Sequence, residues 1–350
     1  MKSIAEIDSN FAVGKTIEKD DIVFYDAEEE PFKICGIFKE NGRFCRMPAA
    51  VAKTVNEGVY ILNTNTAGGR VRFRTNSSYV AISAKMENLG KMPHFALTGS
   101  VGFDIYADNV YRGTYKPPFE IEDGYESVVE LGDSIEKEIT INFPLYSDVK
   151  KLFIGLQKDA DLAMPAPYRN IKPVVYYGSS ITQGGCASRP GTAYQAIISR
   201  NLNVDYVNLG FSGSAKAEQS MAEYIKNLPM SVFVYDYDHN APNTTHLSAT
   251  HERMFKEIRE QNPDLPIIIL PRPKYCINKE EKKRVKIIKA TYENAVNRGD
   301  KNVYFIDNKK LMKLCKNEGT VDNCHCTDLG FFSMADKVGK VIEKILERNI

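Results

Sequence analysis

The fold of the C-terminal half is decided by the stretch Val174-Val175-Tyr176-Tyr177-Gly178-Ser179-Ser180-Ile181-Thr182-Gln183-Gly184. Its first four residues are apolar or aromatic, which is typical of a buried parallel strand. Gly178 ends this strand, and the two serines lead towards a helix. A serine at the carboxyl end of a parallel strand lies where open α/β sheets place their chemistry. Two serines in this position are also typical of a turn and helix cap, so the stretch needs support from elsewhere in the chain.

The rest of the C-terminal half alternates between strand patterns and helix patterns. This alternation predicts a three-layer α/β domain with a parallel sheet covered on both faces. Right-handed crossovers then place the carboxyl ends of all its strands at one edge. The predicted strands are residues 173–178, 204–210, 231–238, 266–270 and 302–307, and the predicted helices are 193–202, 215–227, 248–261, 279–297 and 329–347.

The N-terminal half has short alternating segments, separated by polar turns and without a convincing helical period. These features predict an antiparallel β-sandwich of jelly-roll type. A proline-rich segment at 162–168 is the best boundary between the halves. We therefore expect a β-sandwich domain over residues 1–165 and a catalytic domain over residues 170–350. The predicted strands of the sandwich are 71–75, 79–86, 102–106, 139–143 and 151–156.

The composition excludes several classes of function. The chain has 350 residues, 43% of them hydrophobic and 26% charged, with a net charge of +1. This balance predicts a globular protein without a nucleic-acid partner. The sequence has neither an apolar signal segment at Met1–Asp8 nor a run long enough to span a membrane, so we expect a cytoplasmic protein with no membrane partner. A homo-oligomer is left open.

The seven cysteines are scattered and odd in number, which argues against a disulfide framework. Cys324 and Cys326 flank His325, but this spacing lacks the Cys-x-x-Cys pattern of a zinc site, and no second ligand pair follows. We therefore predict no metal and no cofactor.

The loops at the predicted sheet edge carry residues suited to acyl transfer. A serine hydroxyl becomes a nucleophile only when a neighbouring base takes its proton. Among the histidines on these loops, His325 has Asp322 three residues before it, a spacing that lets the carboxylate orient the imidazole. Ser180, His325 and Asp322 are therefore predicted as nucleophile, base and orienting acid.

Stabilising the oxyanion of a tetrahedral intermediate needs hydrogen-bond donors. The N–H groups of Ser180 and Gly213 and the side-chain amide of Asn240 are the predicted donors. Asn243 is a less favoured substitute for Asn240, because it lies beyond Pro242.

These segments resemble the SGNH/GDSL hydrolase superfamily in order and spacing. The resemblance covers the chain from about residue 170 onwards, and it implies a flavodoxin-like hydrolase fold with the roles given above for Ser180, Gly213, Asn240, Asp322 and His325. The family's usual aspartate before the nucleophile is replaced by Ser179, which leaves open which serine attacks; the alignment favours Ser180. Gly102-Phe103-Asp104-Ile105-Tyr106 resembles the Gly-x-Asp-Leu-Tyr motif of a β-domain that precedes some of these enzymes.

The resemblance implies a serine esterase, and members with an added β-domain suggest removal of an acetyl group from a carbohydrate. The expected substrate is a small-molecule or oligosaccharide ester. Arg189, just after the nucleophile, is a candidate for substrate binding, with a structural salt bridge as the alternative. The rival functions are acyl transfer to a sugar or natural-product hydroxyl, a lipid esterase or thioesterase, and a carbohydrate-binding protein with an inactive hydrolase domain.

Overall fold

The chain folds into an antiparallel β-sandwich followed by an α/β unit with a parallel sheet. This computed structural model describes residues 4–8, 11–14, 17–170 and 172–348. Residue 1, where the predicted sandwich domain begins, and residue 350, where the predicted catalytic domain ends, lie outside the described residues. Among the described helices, none has the length and apolar character needed to cross a membrane.

The sandwich is formed by two antiparallel sheets whose inner faces share one apolar core. The first sheet has the strand order β1-β11-β6-β9, and the second has the order β12-β5-β10-β7-β8, with β2 also pairing with β5. Alternate residues of β5, β7 and β10, such as Phe73, Ile105 and Ile139, point into this core. A separate hairpin is formed by β3 and β4. The strands of the N-terminal half are β1 Ile22–Asp26, β2 Lys33–Cys35, β3 Phe38–Glu40, β4 Arg43–Cys45, β5 Arg70–Thr75, β6 Tyr79–Glu87, β7 Phe103–Ala107, β8 Val110–Tyr115, β9 Gly124–Glu130, β10 Lys137–Asn142, β11 Asp148–Gln157 and β12 Leu162–Ala163.

The parallel sheet has the strand order β14-β13-β15-β16-β17, so the first strand of the unit, β13, lies between β14 and β15. Successive residues of β13 face opposite sides. Val174 and Tyr176 contribute to the core on one face, and Val175 and Tyr177 to the core on the other. The strands are β13 Val174–Gly178, β14 Tyr206–Gly210, β15 Val232–Asp236, β16 Ile267–Ile269 and β17 Val303–Phe305.

Helices cover both faces of this sheet. Residues of α6 and α11 enter one core, and residues of α7, α8 and α9 enter the other. The fold therefore matches the predicted three-layer arrangement. The helices are α1 Ile4–Ile7, α2 Ala49–Val55, α3 Glu57–Leu62, α4 Leu97–Ser100, α5 Ser180–Gln183, α6 Tyr194–Leu202, α7 Gln219–Lys226, α8 Thr244–Gln261, α9 Lys279–Asn297, α10 Asn308–Leu311 and α11 Asp328–Glu347.

The N-terminal half also contains short helices that the sequence pattern did not reveal. Helices α2 and α3 lie between strands of the sandwich, yet their buried residues Ala52, Val55 and Val59 join the core of the parallel sheet. These helices therefore attach the N-terminal half to the α/β unit. The boundary at residues 165–170 stays a prediction, and β12 extends the sandwich into the proline-rich segment by pairing with β5.

Candidate active site

The two serines after β13 have different environments. Ser179 has extended backbone and caps α5, and its hydroxyl accepts a hydrogen bond from the Ile181 N–H at 3.3 Å. Ser180 is the first residue of α5, where no intrahelical carbonyl can accept its own N–H. Gly184 ends the helix with a φ of 107°, a conformation that favours glycine. This short helix presents the Ser180 hydroxyl at the carboxyl edge of the sheet.

Ser180, His325 and Asp322 are brought together in a continuous line of hydrogen bonds. His325 Nε2 lies 2.9 Å from Ser180 Oγ, and His325 Nδ1 lies 2.7 Å from Asp322 Oδ2. With the Nδ1–H donating to the carboxylate, Nε2 is free to accept the proton of the serine hydroxyl. This is the arrangement that activates a serine for nucleophilic attack.

Backbone hydrogen bonds within the turn between Asp322 and His325 hold the carboxylate in place, in addition to its contact with the imidazole ring. Asp322 Oδ1 accepts hydrogen bonds from the backbone N–H of Cys324 at 3.0 Å and of His325 at 2.7 Å. The turn is closed by the Val321 N–H, which donates to the His325 carbonyl at 2.9 Å. The position of the base is therefore set by its own loop, directly before α11.

Hydrogen bonding keeps Asp322 ionised beside the histidine. Partial burial acts to raise the pKa of Asp322, but the hydrogen bonds from the His325 ring and backbone outweigh it, so the pKa lies below its usual value. A carboxylate in this state stabilises the imidazolium that forms when the histidine takes a proton.

The predicted oxyanion donors lie on three neighbouring loops. Among the described residues, no protein acceptor is found for the N–H of Ser180 or of Gly213. Gly213 has a φ of 66°, and a Cβ added there would meet nothing within 4 Å. The Asn240 amide donates to the Phe211 carbonyl at 2.8 Å, which places it against the Gly213 loop. Asn243 instead caps α8 by accepting from the His246 N–H at 2.8 Å.

Gln183 connects the serine helix to the Gly213 loop. Its side-chain oxygen accepts from the Ser212 N–H at 3.0 Å, one residue before Gly213. Its amide nitrogen donates to Asn65 Oδ1 and to the Leu145 carbonyl, both at 3.2 Å. Gln183 is fully buried, so these contacts fix the donor loop relative to Ser180 and to the N-terminal half.

Two residues of the N-terminal half reach the site, and sequence reasoning missed both. The Tyr146 hydroxyl donates to the Ser180 carbonyl at 3.3 Å. The His94 ring lies with its centroid 6.0 Å from that of His325. Neither residue belongs to a recognisable motif, and the only signal was that His94 is one of the five histidines.

Arg189 is engaged in the interface between the two halves. Its guanidinium donates to Asp104 Oδ2 at 2.9 Å and to the Tyr106 hydroxyl, and it lies 3.8 Å from the Tyr111 ring centroid. This geometry corresponds to the structural salt bridge stated above as the alternative. The substrate role predicted for Arg189 has no support in these contacts.

A cavity of about 820 Å³ is lined by residues of the N-terminal half, and the triad residues are not part of its lining. Tyr146 lines this cavity and also contacts Ser180 through its hydroxyl. Exposed Tyr60, Asn41, Asn88 and Lys91 contribute an aromatic ring and polar groups to its wall. A cavity of this size, with a few polar groups and an aromatic surface, is suited to a small or oligomeric ligand.

Comparison with known proteins identifies both halves of the chain. Residues 171–343 match the model of the GDSL-like lipase/acylhydrolase family. Residues 22–162 match the model described as the N-terminus of Esterase_SGNH_hydro-type, named GxDLY. No match was found among curated proteins.

Solved structures with the same fold match most of the chain. A protein from Bacteroides ovatus ATCC 8483 described as a GDSL-like lipase is 30% identical, with a TM-score of 0.82, over 93% of this chain and 98% of its own. A salicylyl-acyltransferase from a tetracycline biosynthetic pathway is 17% identical, with a TM-score of 0.74, over 94% and 98%. A family two carbohydrate esterase from Clostridium thermocellum, solved with cellohexaose, is 16% identical, with a TM-score of 0.58, over 81% and 94%. The last two similarities, at such low identity, concern the fold alone.

Proposed function

Because the chain belongs to the GDSL-like lipase/acylhydrolase family and is an ester-hydrolysing enzyme, we propose that Ser180, His325 and Asp322 are its catalytic triad. The observation that carries this proposal is the unbroken contact from Ser180 Oγ to His325 Nε2 at 2.9 Å and from His325 Nδ1 to Asp322 at 2.7 Å. These distances allow proton transfer without rearrangement of the side chains.

The reaction then follows from the positions of these groups. Ser180 Oγ attacks the ester carbonyl carbon while His325 Nε2 takes the hydroxyl proton. The negative charge that develops on the carbonyl oxygen is stabilised by the N–H groups of Ser180 and Gly213 and by the Asn240 amide. His325 returns the proton to the departing alcohol, which leaves an acyl group on Ser180. Water, deprotonated by the same histidine, then releases the acid.

A fluorophosphonate probe tests the nucleophile directly. We expect one covalent adduct per chain, on the peptide that contains Ser180, and loss of esterase activity in proportion to labelling. An adduct on Ser179, or full activity after complete labelling, would contradict the proposed triad.

We propose an acetyl ester of a carbohydrate as the substrate. The cavity in the N-terminal half supports this choice, because Tyr146 links it to Ser180, Tyr60 offers a ring face to a sugar, and Asn41, Asn88 and Lys91 offer polar groups to its hydroxyls. The fold shared with a carbohydrate esterase that was solved with cellohexaose is consistent with it.

A series of chromogenic esters from acetate to octanoate tests the acyl group, and we expect kcat/KM to fall as the chain lengthens. Acetylated oligosaccharides test the alcohol. Tyr60→Ala should lower kcat/KM more on an acetylated oligosaccharide than on the chromogenic acetate. Phe24→Ala, which removes a partly exposed aromatic ring outside the cavity, serves as the control and should leave that ratio unchanged. An unchanged ratio in Tyr60→Ala would refute sugar binding in this cavity.

Acyl transfer is the second candidate, and the same assay distinguishes it. Mass spectrometry of the products with a sugar or natural-product alcohol present separates released acid from transferred acyl group. We expect released acid to dominate, and a dominant transfer product would replace hydrolysis as the function.

A further inference from the structure

Three metal-ligating side chains meet at the mouth of the site. One ligand atom from each of His94, Cys186 and His325 lies within 4.8 Å of the other two. Imidazole nitrogen and thiolate sulfur are the ligands that Zn²⁺ prefers, and three protein ligands with one open position is a common arrangement. We propose that this cluster binds a thiophilic divalent cation such as Zn²⁺ and that the bound ion blocks the enzyme.

The distances between the three ligand atoms need little adjustment for an ion to bind. Tetrahedral bonds of about 2.3 Å to sulfur and about 2.0–2.1 Å to nitrogen place ligand atoms roughly 3.3–3.6 Å apart. With no ligand pair beyond 4.8 Å, movements of about 1 Å complete the site. His94 is exposed and Cys186 is half-buried, so an ion reaches both from solvent.

His325 is already oriented as a metal ligand. Asp322 holds Nδ1 at 2.7 Å, which leaves Nε2 as the nitrogen available to an ion. A carboxylate that accepts from the other ring nitrogen is the usual partner of a zinc-bound histidine. The carbon next to Nε2 also faces the segment that carries Cys186, since a side chain on Gly185 would lie 3.3 Å from it.

Other contacts hold the three ligand-bearing segments side by side. Thr98 Oγ1 donates to the Ser188 carbonyl at 2.6 Å, and a Cβ on Gly99 would lie 1.9 Å from the Ala187 carbonyl oxygen. These contacts join the His94 loop to the Cys186 loop. The Ser188 N–H donates to Asp328 at 2.8 Å, which joins the Cys186 loop to the start of α11, just after His325. The ligands are therefore preorganised, which reduces the entropy lost on binding.

The cluster differs from the Cys324-His325-Cys326 segment considered in the sequence. Cys326 is fully buried, and Cys324 contacts His239 Nδ1 at 3.5 Å. Neither belongs to the group formed with His94 and Cys186. The ligands come from segments far apart in the chain, so no local spacing rule detects them.

The inhibitory effect rests on the proposed function. His325 Nε2 lies 2.9 Å from Ser180 Oγ, and a nitrogen whose lone pair is bound to a metal cannot take the serine proton. We therefore expect Zn²⁺ to compete with the activation of the nucleophile.

Calorimetric titration of ZnCl₂ into Ser180→Ala tests the site without any need for activity. We expect one ion per chain. Adding His94→Ala or Cys186→Ser to this variant should weaken binding by about tenfold or more, because each removes a direct ligand. Cys276→Ser removes an exposed cysteine outside the cluster and should bind Zn²⁺ like its parent. Unchanged affinity in both cluster variants would refute the site.

Ester hydrolysis by the enzyme with Ser180 intact tests the proposed inhibition by Zn²⁺. ZnCl₂ should inhibit hydrolysis, EDTA should restore it, and MgCl₂ should have no effect. Relative to each variant's own metal-free rate, the half-inhibiting concentration should rise about tenfold or more in His94→Ala and Cys186→Ser. Zn²⁺ that binds as described but leaves turnover unchanged would refute the block. Absence of hydrolysis before zinc is added would count against the proposed function, while the calorimetric result would still decide the site.

Discussion

At the scale of single residues, Ser179 and Ser180 are neighbours with different contacts. Ser180 Oγ lies 2.9 Å from the base, whereas Ser179 Oγ accepts from the Ile181 N–H. We expect Ser180→Ala to reduce turnover to the background rate with little change in stability. Ser179→Ala should retain most of the turnover but lower the free energy of unfolding by about 0.5–2 kcal/mol, the usual effect of losing a helix cap. Ester hydrolysis and urea unfolding of both variants provide the measurement.

These two variants control each other, since both remove one hydroxyl from the same turn. If Ser179→Ala were the inactive variant and Ser180→Ala the active one, the assignment of the nucleophile would be reversed.

Asp236, fully buried at the end of β15, makes stability depend on pH. Burial, together with the nearby Asp238, raises its pKa to about 7, and the hydrogen bond from Thr182 only partly offsets this. An unfolded aspartate has a pKa of about 3.9. Between about pH 4 and pH 7 the folded protein therefore retains a proton that the unfolded chain has lost. The contribution of Asp236 to the free energy of unfolding is largest below pH 4, falls as the pH rises to about 7 and is constant above it.

Asp236→Asn removes this titration. Between pH 4 and pH 8 the wild type should lose a few kcal/mol of unfolding free energy relative to the variant, since each pKa unit corresponds to about 1.4 kcal/mol. Urea unfolding at both pH values measures it, and the other titrating groups cancel in the difference. Parallel pH profiles for the two proteins would show that the pKa of Asp236 is the same in the folded and unfolded states.

At the scale of elements, the loop after β15 carries two asparagines that the sequence allowed as alternative oxyanion donors, and the structure gives them different contacts. Asn240 lies against the Gly213 loop through the Phe211 carbonyl, and Asn243 caps α8. We expect Asn240→Ala to lower kcat by about 10²–10³-fold, as loss of one oxyanion donor does. Asn243→Ala should keep kcat and lower the unfolding free energy by about 1 kcal/mol. Kinetics and urea unfolding of the pair test this, and a large loss of kcat in Asn243→Ala would exchange their roles.

The elements that the sequence predicted well are those whose signals are local. Helix α9 was predicted from its helical pattern over the same residues, 279–297, and in the structure Asn278 and Glu281 form a capping box at its start. The five parallel strands were predicted because each is a short apolar run followed by a polar loop. Helices α2 and α3 were missed, since they are short and their few buried residues pack against a core formed more than a hundred positions later.

The same distinction applies to the site. Ser180, Asp322 and His325 could be placed together because topology brings loop ends to one edge and Asp-x-x-His has a mechanistic reason for its spacing. His94 and Tyr146 could not be assigned to the site, since their positions depend on how the two halves pack. The orientation of Arg189 depends on that packing as well.

At the scale of the whole molecule, the Gly102–Tyr106 motif joins the two halves. Asp104 is fully buried in β7, and it accepts from Asn142 at 2.8 Å, from the Gly191 N–H at 2.8 Å and from Arg189 at 2.9 Å. Gly191 and Arg189 belong to the segment that follows the nucleophile helix. The motif therefore fixes the segment that leads from Cys186 to α6, and it acts on the site by positioning this segment.

A double-mutant cycle measures how strongly this ion pair couples the halves. Asp104→Asn leaves the mostly buried Arg189 cation without its carboxylate, and Arg189→Met leaves the buried carboxylate without its cation. The losses of unfolding free energy caused by the two single changes should therefore add up to more than the loss caused by the double change. The difference between the two, which is the coupling energy, should be about 1–3 kcal/mol. Because the chain has no tryptophan, urea unfolding is best followed by circular dichroism. The exposed pair of Lys289 and Glu293 on α9 is the control, and a coupling of no more than about 0.5 kcal/mol is expected there. Additive effects of the two substitutions in the Asp104–Arg189 cycle would show that this ion pair does not couple the halves.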